Sequence, residues 1–209
     1  LKGKRIAVIG ENSYEWVVSY FAVTMGTGVV VPIDRELKAP EIANLLNRSK
    51  AEALIYSRKM EKTIKEVLPL TETIEYHINM NTDKPREGEL AMMDLIDEGR
   101  IHLRHGERGF VDAEVDPEEM AALLFTSGTT GMAKGVMLSH RNIVANVYNM
   151  SKYVDVDGET GLSVLPMHHT YEMTCHIFTG LYQGITSTAS YLEEFRAWAV
   201  DSSRKVGDT

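Results

Sequence analysis

Short apolar runs separated by amphipathic stretches organise the first part of the chain. Arg5-Ile6-Ala7-Val8-Ile9-Gly10 predicts a strand that ends at a glycine. Asn12 and Ser13 stand where N-caps stand, before a helix carrying Trp16, Val17, Tyr20 and Phe21. Gly26 and Gly28 close that helix, and Val29-Val30-Val31-Pro32-Ile33 reads as the next strand. Pro40 suits the first turn of a helix running through Ile42, Leu45 and Leu46. A third strand (Ala53 to Tyr56), a helical segment (Ile64 to Leu68) and a fourth strand (Thr73 to Ile78) follow. Strands that alternate with helices imply parallel pairing, right-handed crossovers and helices on the sheet faces. The expected fold is α/β, a doubly wound, mostly parallel sheet with flanking helices.

Further on, residues 79–90 read as a polar loop and Leu90 to Gly99 as one short helix. Glu107 to Pro117 carries acidic residues toward a buried strand at Ala121 to Phe125. Val136-Met137-Leu138 is strand-like, and Ser139 is the natural N-cap of a helix with Ile143, Val147 and Met150 at helical spacing. His140 and Arg141, in its first turn, read as surface or capping residues. Leu162 to Leu165 is a strand-like run ended by Pro166. Tyr191 to Trp198 has the pattern of an amphipathic helix, and Ser202 to Thr209 reads as a frayed polar end.

The segment from Thr126 to Lys134 carries the most chemistry. Glycine lets backbone amides approach an anion closely, four hydroxyls (Thr126, Ser127, Thr129, Thr130) add donors, and Lys134 adds a positive charge. That is equipment for holding a polyphosphate. It is not a Walker A loop, because Gly135 follows the lysine and the glycines are wrongly spaced. A glycine-rich hairpin between two strands is the plainer reading. A second cluster is Leu165-Pro166-Met167-His168-His169-Thr170-Tyr171-Glu172. A metal site could use His169, Glu172 and His176 if the segment is helical, yet neither a His-Glu-x-x-His nor a Cys-x-x-Cys motif is present. The alternative is a set of polar residues satisfying the end of a sheet. Gly26-Thr27-Gly28 follows a helix rather than a strand and is no dinucleotide fingerprint.

Read with its flanks, Leu-Phe-Thr-Ser-Gly-Thr-Thr-Gly-Met-Ala-Lys-Gly-Val-Met-Leu-Ser-His-Arg-Asn resembles the phosphate-binding signature of the AMP-forming adenylating enzymes. That family includes acyl-CoA synthetases, luciferases and peptide-synthetase adenylation domains. In it the loop clamps the β- and γ-phosphates of ATP, a role the resemblance gives to Thr126, Ser127, Gly128, Thr129, Thr130, Gly131 and Lys134. Leu165, Pro166 and His169 match its Leu-Pro-x-x-His motif, whose histidine stands beside the acyl substrate, so His169 is the catalytic candidate. The strings Gly-Lys-Arg-Ile-Ala-Val-Ile-Gly-Glu-Asn-Ser-Tyr-Glu-Trp and Gly-Val-Val-Val-Pro-Ile-Asp also resemble the early part of an acyl-CoA synthetase, mainly as structural motifs. His-His-Thr-Tyr-Glu, with Gly180-Leu181-Tyr182-Gln183-Gly184, is most similar to the long-chain fatty-acid–CoA ligase branch. The resemblance implies ATP, CoA and a long-chain fatty acid as substrates, with the magnesium-binding glutamate in a Tyr-Gly-x-Thr-Glu element that this sequence lacks.

Composition refines this picture. The chain of 209 residues is 44% hydrophobic, enough to bury a real core, and its net charge of −8 disfavours nucleic acid as a partner. The lone Cys175 excludes an internal disulfide, and no apolar run approaches the roughly 20 residues that span a bilayer, which together suggest a cytoplasmic setting. By resemblance, residues 1–184 are a partial N-terminal adenylation domain and 185–209 a divergent tail, with the small C-terminal domain absent. The piece is then expected to be inactive alone and to self-associate through exposed sheet surface. A non-catalytic nucleotide-binding remnant, or a ligase whose acceptor is a carrier-protein thiol, are the alternatives.

Overall fold

The structure, a computed structural model, describes residues 2–126, 133–154 and 160–189. Two compact units are present: Leu1–Gly10 with Glu15–Ile143, and Glu11–Tyr14 with Val144–Thr209.

The first unit is built on a seven-stranded sheet. Its strands are β1 (Arg5–Ile9), β2 (Val29–Ile33), β3 (Ala53–Tyr56), β4 (Tyr76–Asn79), β5 (Glu89–Ala91), β6 (Met120–Thr126) and β7 (Lys134–Ser139). Their spatial order is β5-β4-β3-β1-β2-β6-β7, parallel throughout except for the antiparallel β6–β7 pair. Every residue of β2 and β3 is buried, as is β1 from Ile6 onward, so the central strands show no alternation of apolar and polar positions. A strand reads that way when helices cover both faces of its sheet. The helices are α1 (Tyr14–Met25), α2 (Ala39–Ser49), α3 (Glu61–Val67) and α4 (Met92–Arg104). One face packs Ala7, Ile9, Val31, Ile33 and Leu54 with Ile42 and Leu46 of α2 and Ile64 and Val67 of α3. Trp16 of α1 is fully buried and stacks on Tyr20 at 5.8 Å between ring centres. The doubly wound arrangement expected from the alternating pattern is present.

Three local expectations need correction. The fourth strand begins at Tyr76 rather than Thr73, because Thr73 uses its hydroxyl on the Ala51 carbonyl (2.6 Å) and the Glu75 amide reaches the Glu52 carbonyl (2.8 Å). The polar stretch 79–90 contains the start of β5, paired in parallel with β4. Its Glu89 is only 7% exposed and hides among loop-like neighbours. The helix placed at Leu90 to Gly99 is α4, which starts at Met92 and continues through Gly99 to Arg104. One glycine in a helix interior costs about 1 kcal/mol, too little to stop a helix that strong formers continue on both sides.

In the second unit β8 (Thr160–Ser163) pairs in parallel with β9 (Thr186–Ala189). Between them run a π-helix (Glu172–Phe178) and a short helix, which with α5 (His140–Met150) preceding it in the chain becomes α6 (Thr179–Gln183). Gly184 ends α6 in the left-handed region at φ +76°, where a side chain would be strained. β9 thus occupies the first residues of the expected tail. The stretches 191–198 and 202–209 lie outside the described residues.

Candidate functional site

The phosphate-loop candidate sits at the tip of the β6–β7 hairpin. Thr126 and Lys134 are direct cross-strand partners, followed by Phe125 with Gly135 and Leu124 with Val136. Both the hairpin reading and the phosphate reading are therefore compatible with the geometry. Ser127, Gly128, Thr129, Thr130 and Gly131 lie outside the described residues, but the two ends of their segment are placed. Both Thr126 and Lys134 are exposed, so a hydroxyl and an ammonium group are presented together.

The base of the hairpin is held from below. Leu123 belongs to the core cluster, and Phe125 and Ala133 pack against it. A Cβ at Gly135 would lie 3.2 Å from Cδ1 of Leu123, a close approach that the leucine side chain would have to shift slightly to accept. Arg48, in the last turn of α2, donates from Nη2 to the Ala133 carbonyl (2.8 Å) and lies 5.6 Å from the centre of the Phe125 ring. Pattern reading missed Arg48. A lone arginine on the polar side of a helix has no sequence signal that separates a buttress from a solvated charge.

Ser139 caps α5 as expected. Its hydroxyl accepts from the Asn142 amide (3.2 Å), while Asn142 Oδ1 accepts from the Ser139 amide (3.0 Å). Arg141 pairs with Glu118, and burial, only partly offset by Glu119 and Asp116, lowers the His140 pKa. Both behave as structural residues.

The second cluster belongs to the second unit. Pro166 starts a turn in which its carbonyl accepts the His169 amide (2.9 Å), and the His169 carbonyl in turn accepts the Met173 amide (3.2 Å). The His169 side chain is exposed, and its Nδ1 accepts the Tyr171 amide at 3.2 Å. With Nδ1 an acceptor, the neutral ring carries its proton on Nε2. An Nε2–H is the form that can donate to a carboxylate.

The following π-helix brings Glu172 and His176 together, with Oε1 3.8 Å from Nδ1. The wider π turn also lets Thr179 donate to the Thr174 carbonyl, five residues back, at 2.8 Å. Glu172 is 3% exposed, and its Oε1, like His176 Nε2, Gln183 Oε1 and Ser187 Oγ, has no hydrogen-bond partner among the described residues. Among those residues no group of three His, Cys, Asp or Glu side chains could hold a metal ion. Burial, reinforced by Glu172, raises the Cys175 pKa, so this thiol is a poor nucleophile at neutral pH.

Asn12 has a role that pattern reading did not show. Its carboxamide is engaged with the second cluster. Nδ2 donates to the Leu165 carbonyl (2.7 Å) and to Ser163 Oγ (3.3 Å), and Oδ1 accepts the Met167 amide (3.0 Å). Residues so far apart in sequence leave no local signature of such a contact.

The sequence model of the AMP-binding enzyme family matches residues 1–199. A long-chain-fatty-acid–[acyl-carrier-protein] ligase of Arabidopsis thaliana is 27% identical over 208 residues, covering 91% of this chain and 28% of its own length. Long-chain-fatty-acid–CoA ligase 5 of Rattus norvegicus is 28% identical over 200 residues, covering 86% of this chain and 29% of its own. Among solved structures, a long-chain-fatty-acid-CoA ligase from Archaeoglobus fulgidus shares the fold with a TM-score of 0.73 at 23% identity, over 91% of this chain and 35% of that one. The chain thus spans under a third of the length of these two curated relatives. No helix among the described residues is long and apolar enough to cross a membrane.

Proposed function

This chain belongs to the AMP-binding enzyme family, and on that premise we propose that it carries the phosphate grip and the acid-side histidine of an ATP-dependent acid–thiol ligase. In the proposed reaction a carboxylate oxygen attacks the α-phosphorus of ATP and the bond to pyrophosphate breaks. A thiol sulfur then attacks the acyl carbonyl of the adenylate and AMP leaves. The Thr126 hydroxyl and Lys134 ammonium, with the 127–131 segment, bind the β- and γ-phosphates and offset charge on the departing pyrophosphate. The His169 Nε2–H donates to the substrate carboxylate and orients it. The carrying observation is the cross-strand pairing of Thr126 with Lys134 at the tip of a hairpin anchored in the core.

The proposed acid is a long-chain fatty acid and the proposed thiol is CoA, a choice supported by the His-His-Thr-Tyr-Glu string and by relatives named for that reaction. A carrier-protein thiol is the second reading, favoured by the Arabidopsis relative named for it. Residues 1–184 are proposed as the partial adenylation domain and 185–209 as its divergent C-terminal tail, of which 185–199 still fall within the family match, in a cytoplasmic protein. The test is ATP–pyrophosphate exchange driven by a long-chain fatty acid, on the natural gene product. Acid-dependent exchange that falls on Lys134→Ala is expected. Exchange unchanged by Lys134→Ala overturns the assignment.

A further inference from the structure

We propose that Asn12 is a positioning residue that sets the pose of His169. The claim rests on the reading of His169 given above, and its geometry is independent of that reading. The Asn12 carboxamide is used at both ends: Nδ2 donates to Leu165 O and Oδ1 accepts Met167 N–H. A carbonyl and an amide two residues apart are the pair of groups that an adjoining strand would engage. Here they flank Pro166, which has no N–H, and a side-chain amide takes the place of a strand. Rotating the carboxamide by half a turn would set donor against donor and acceptor against acceptor, so one orientation is fixed.

The constraint passes along the chain in short steps. Asn12 fixes the peptide units on either side of Pro166. The Pro166 carbonyl fixes the His169 amide at 2.9 Å, and the Tyr171 amide fixes the His169 ring through Nδ1 at 3.2 Å. Met167, only 3% exposed, closes the turn on its inner side. His169 itself is exposed, and its ring is engaged by the Tyr171 amide of the same turn. Its pose therefore depends on the turn, and the turn depends on Asn12.

The experiment compares the natural gene product with Asn12→Ala, Asn12→Asp and Ser163→Ala. Asn12→Asp can still accept the Met167 amide but cannot donate to Leu165 O. Ser163→Ala removes only the long 3.3 Å contact and serves as the conservative control. Two readouts need no catalysis: hydrogen exchange at the Met167 amide, and the nitrogen chemical shifts of the His169 ring, which report the tautomer. Asn12→Ala is expected to accelerate Met167 exchange by ~10-fold, the equivalent of one ordinary hydrogen bond, and Asn12→Asp, which keeps the acceptor but loses the donor to Leu165 O, by less. They should also mix the His169 tautomers while leaving Ile9 exchange in β1 unchanged. Ser163→Ala should do neither. In pyrophosphate exchange, Asn12→Ala should lower kcat by ~10-fold with KM for ATP within ~2-fold, and should have no further effect in a His169→Ala background.

An unchanged Met167 amide, an unchanged His169 tautomer, or an equal kcat loss with and without His169 would each overturn the proposal. If the unaltered protein shows no acid-dependent exchange, the ligase reading fails. The Met167 and His169 signals then still decide whether Asn12 sets the ring.

Discussion

Replacing Arg48 by methionine should loosen the Thr126–Lys134 hairpin without removing any group that would meet a phosphate. The guanidinium makes two contacts there: a hydrogen bond to the Ala133 carbonyl at 2.8 Å and an approach of 5.6 Å to the Phe125 ring centre. A buried charged hydrogen bond contributes about 1.5–3 kcal/mol, but Arg48 is exposed and water competes, so about 1 kcal/mol is the reasonable figure. An exposed cation–π contact adds roughly 0.5 kcal/mol. Methionine keeps an apolar stem and has nearly the same helix propensity, so α2 should not weaken. The sum of about 1.5 kcal/mol corresponds to ~10-fold faster local opening. Native-state hydrogen exchange should show that acceleration at Phe125 and Gly135, and ATP affinity should fall by at most the same factor. Unchanged exchange at these amides would refute the reasoning. So would an equal acceleration across β1, β2 and β3, which would make Arg48 a contributor to global stability rather than a hairpin buttress.

Glu89 predicts an acid-sensitive first unit. Burial opposes its ionisation, but hydrogen bonds from Tyr56, the Arg86 amide and Asn79 outweigh it and hold the carboxyl below the ordinary value of 4.5. A folded-state pKa below the unfolded one gives stability that is complete above pH 4.5 and lost as pH falls through the folded value. Glu89→Gln should therefore flatten the acid limb of a denaturation profile below pH 4.5, and an unchanged limb would contradict the assignment. β7 is an edge strand that exposes Val136 (40%) and Met137 (71%). Light scattering of the chain should show concentration-dependent association that Met137→Lys reduces, whereas a clean monomer at high concentration would count against it.

The alternating strand and helix pattern made the sheet legible, because central strands buried on both faces leave continuous apolar runs such as Val29-Val30-Val31. β5 was not legible: three residues with a buried glutamate look like a loop until the Tyr56 and Asn79 partners of Glu89 are known. The hairpin and the histidine turn were visible as local strings with unusual chemistry. Their supports were not. Arg48 acts on a segment 85 positions away and Asn12 on segments more than 150 positions away. A polar residue that serves a distant backbone carries the same local pattern as one that caps a helix or faces water.

Binding of ATP to the hairpin tip can be read directly from the amide signals of Thr126 and Lys134 during a titration with ATP and magnesium. Saturable shifts at both positions are predicted, with a dissociation constant on the order of 1 mM or tighter, and Lys134→Ala should abolish them while leaving the β1 signals in place. No shift at either residue up to ~10 mM ATP, or shifts that survive Lys134→Ala, would contradict the assignment of this hairpin as the phosphate grip.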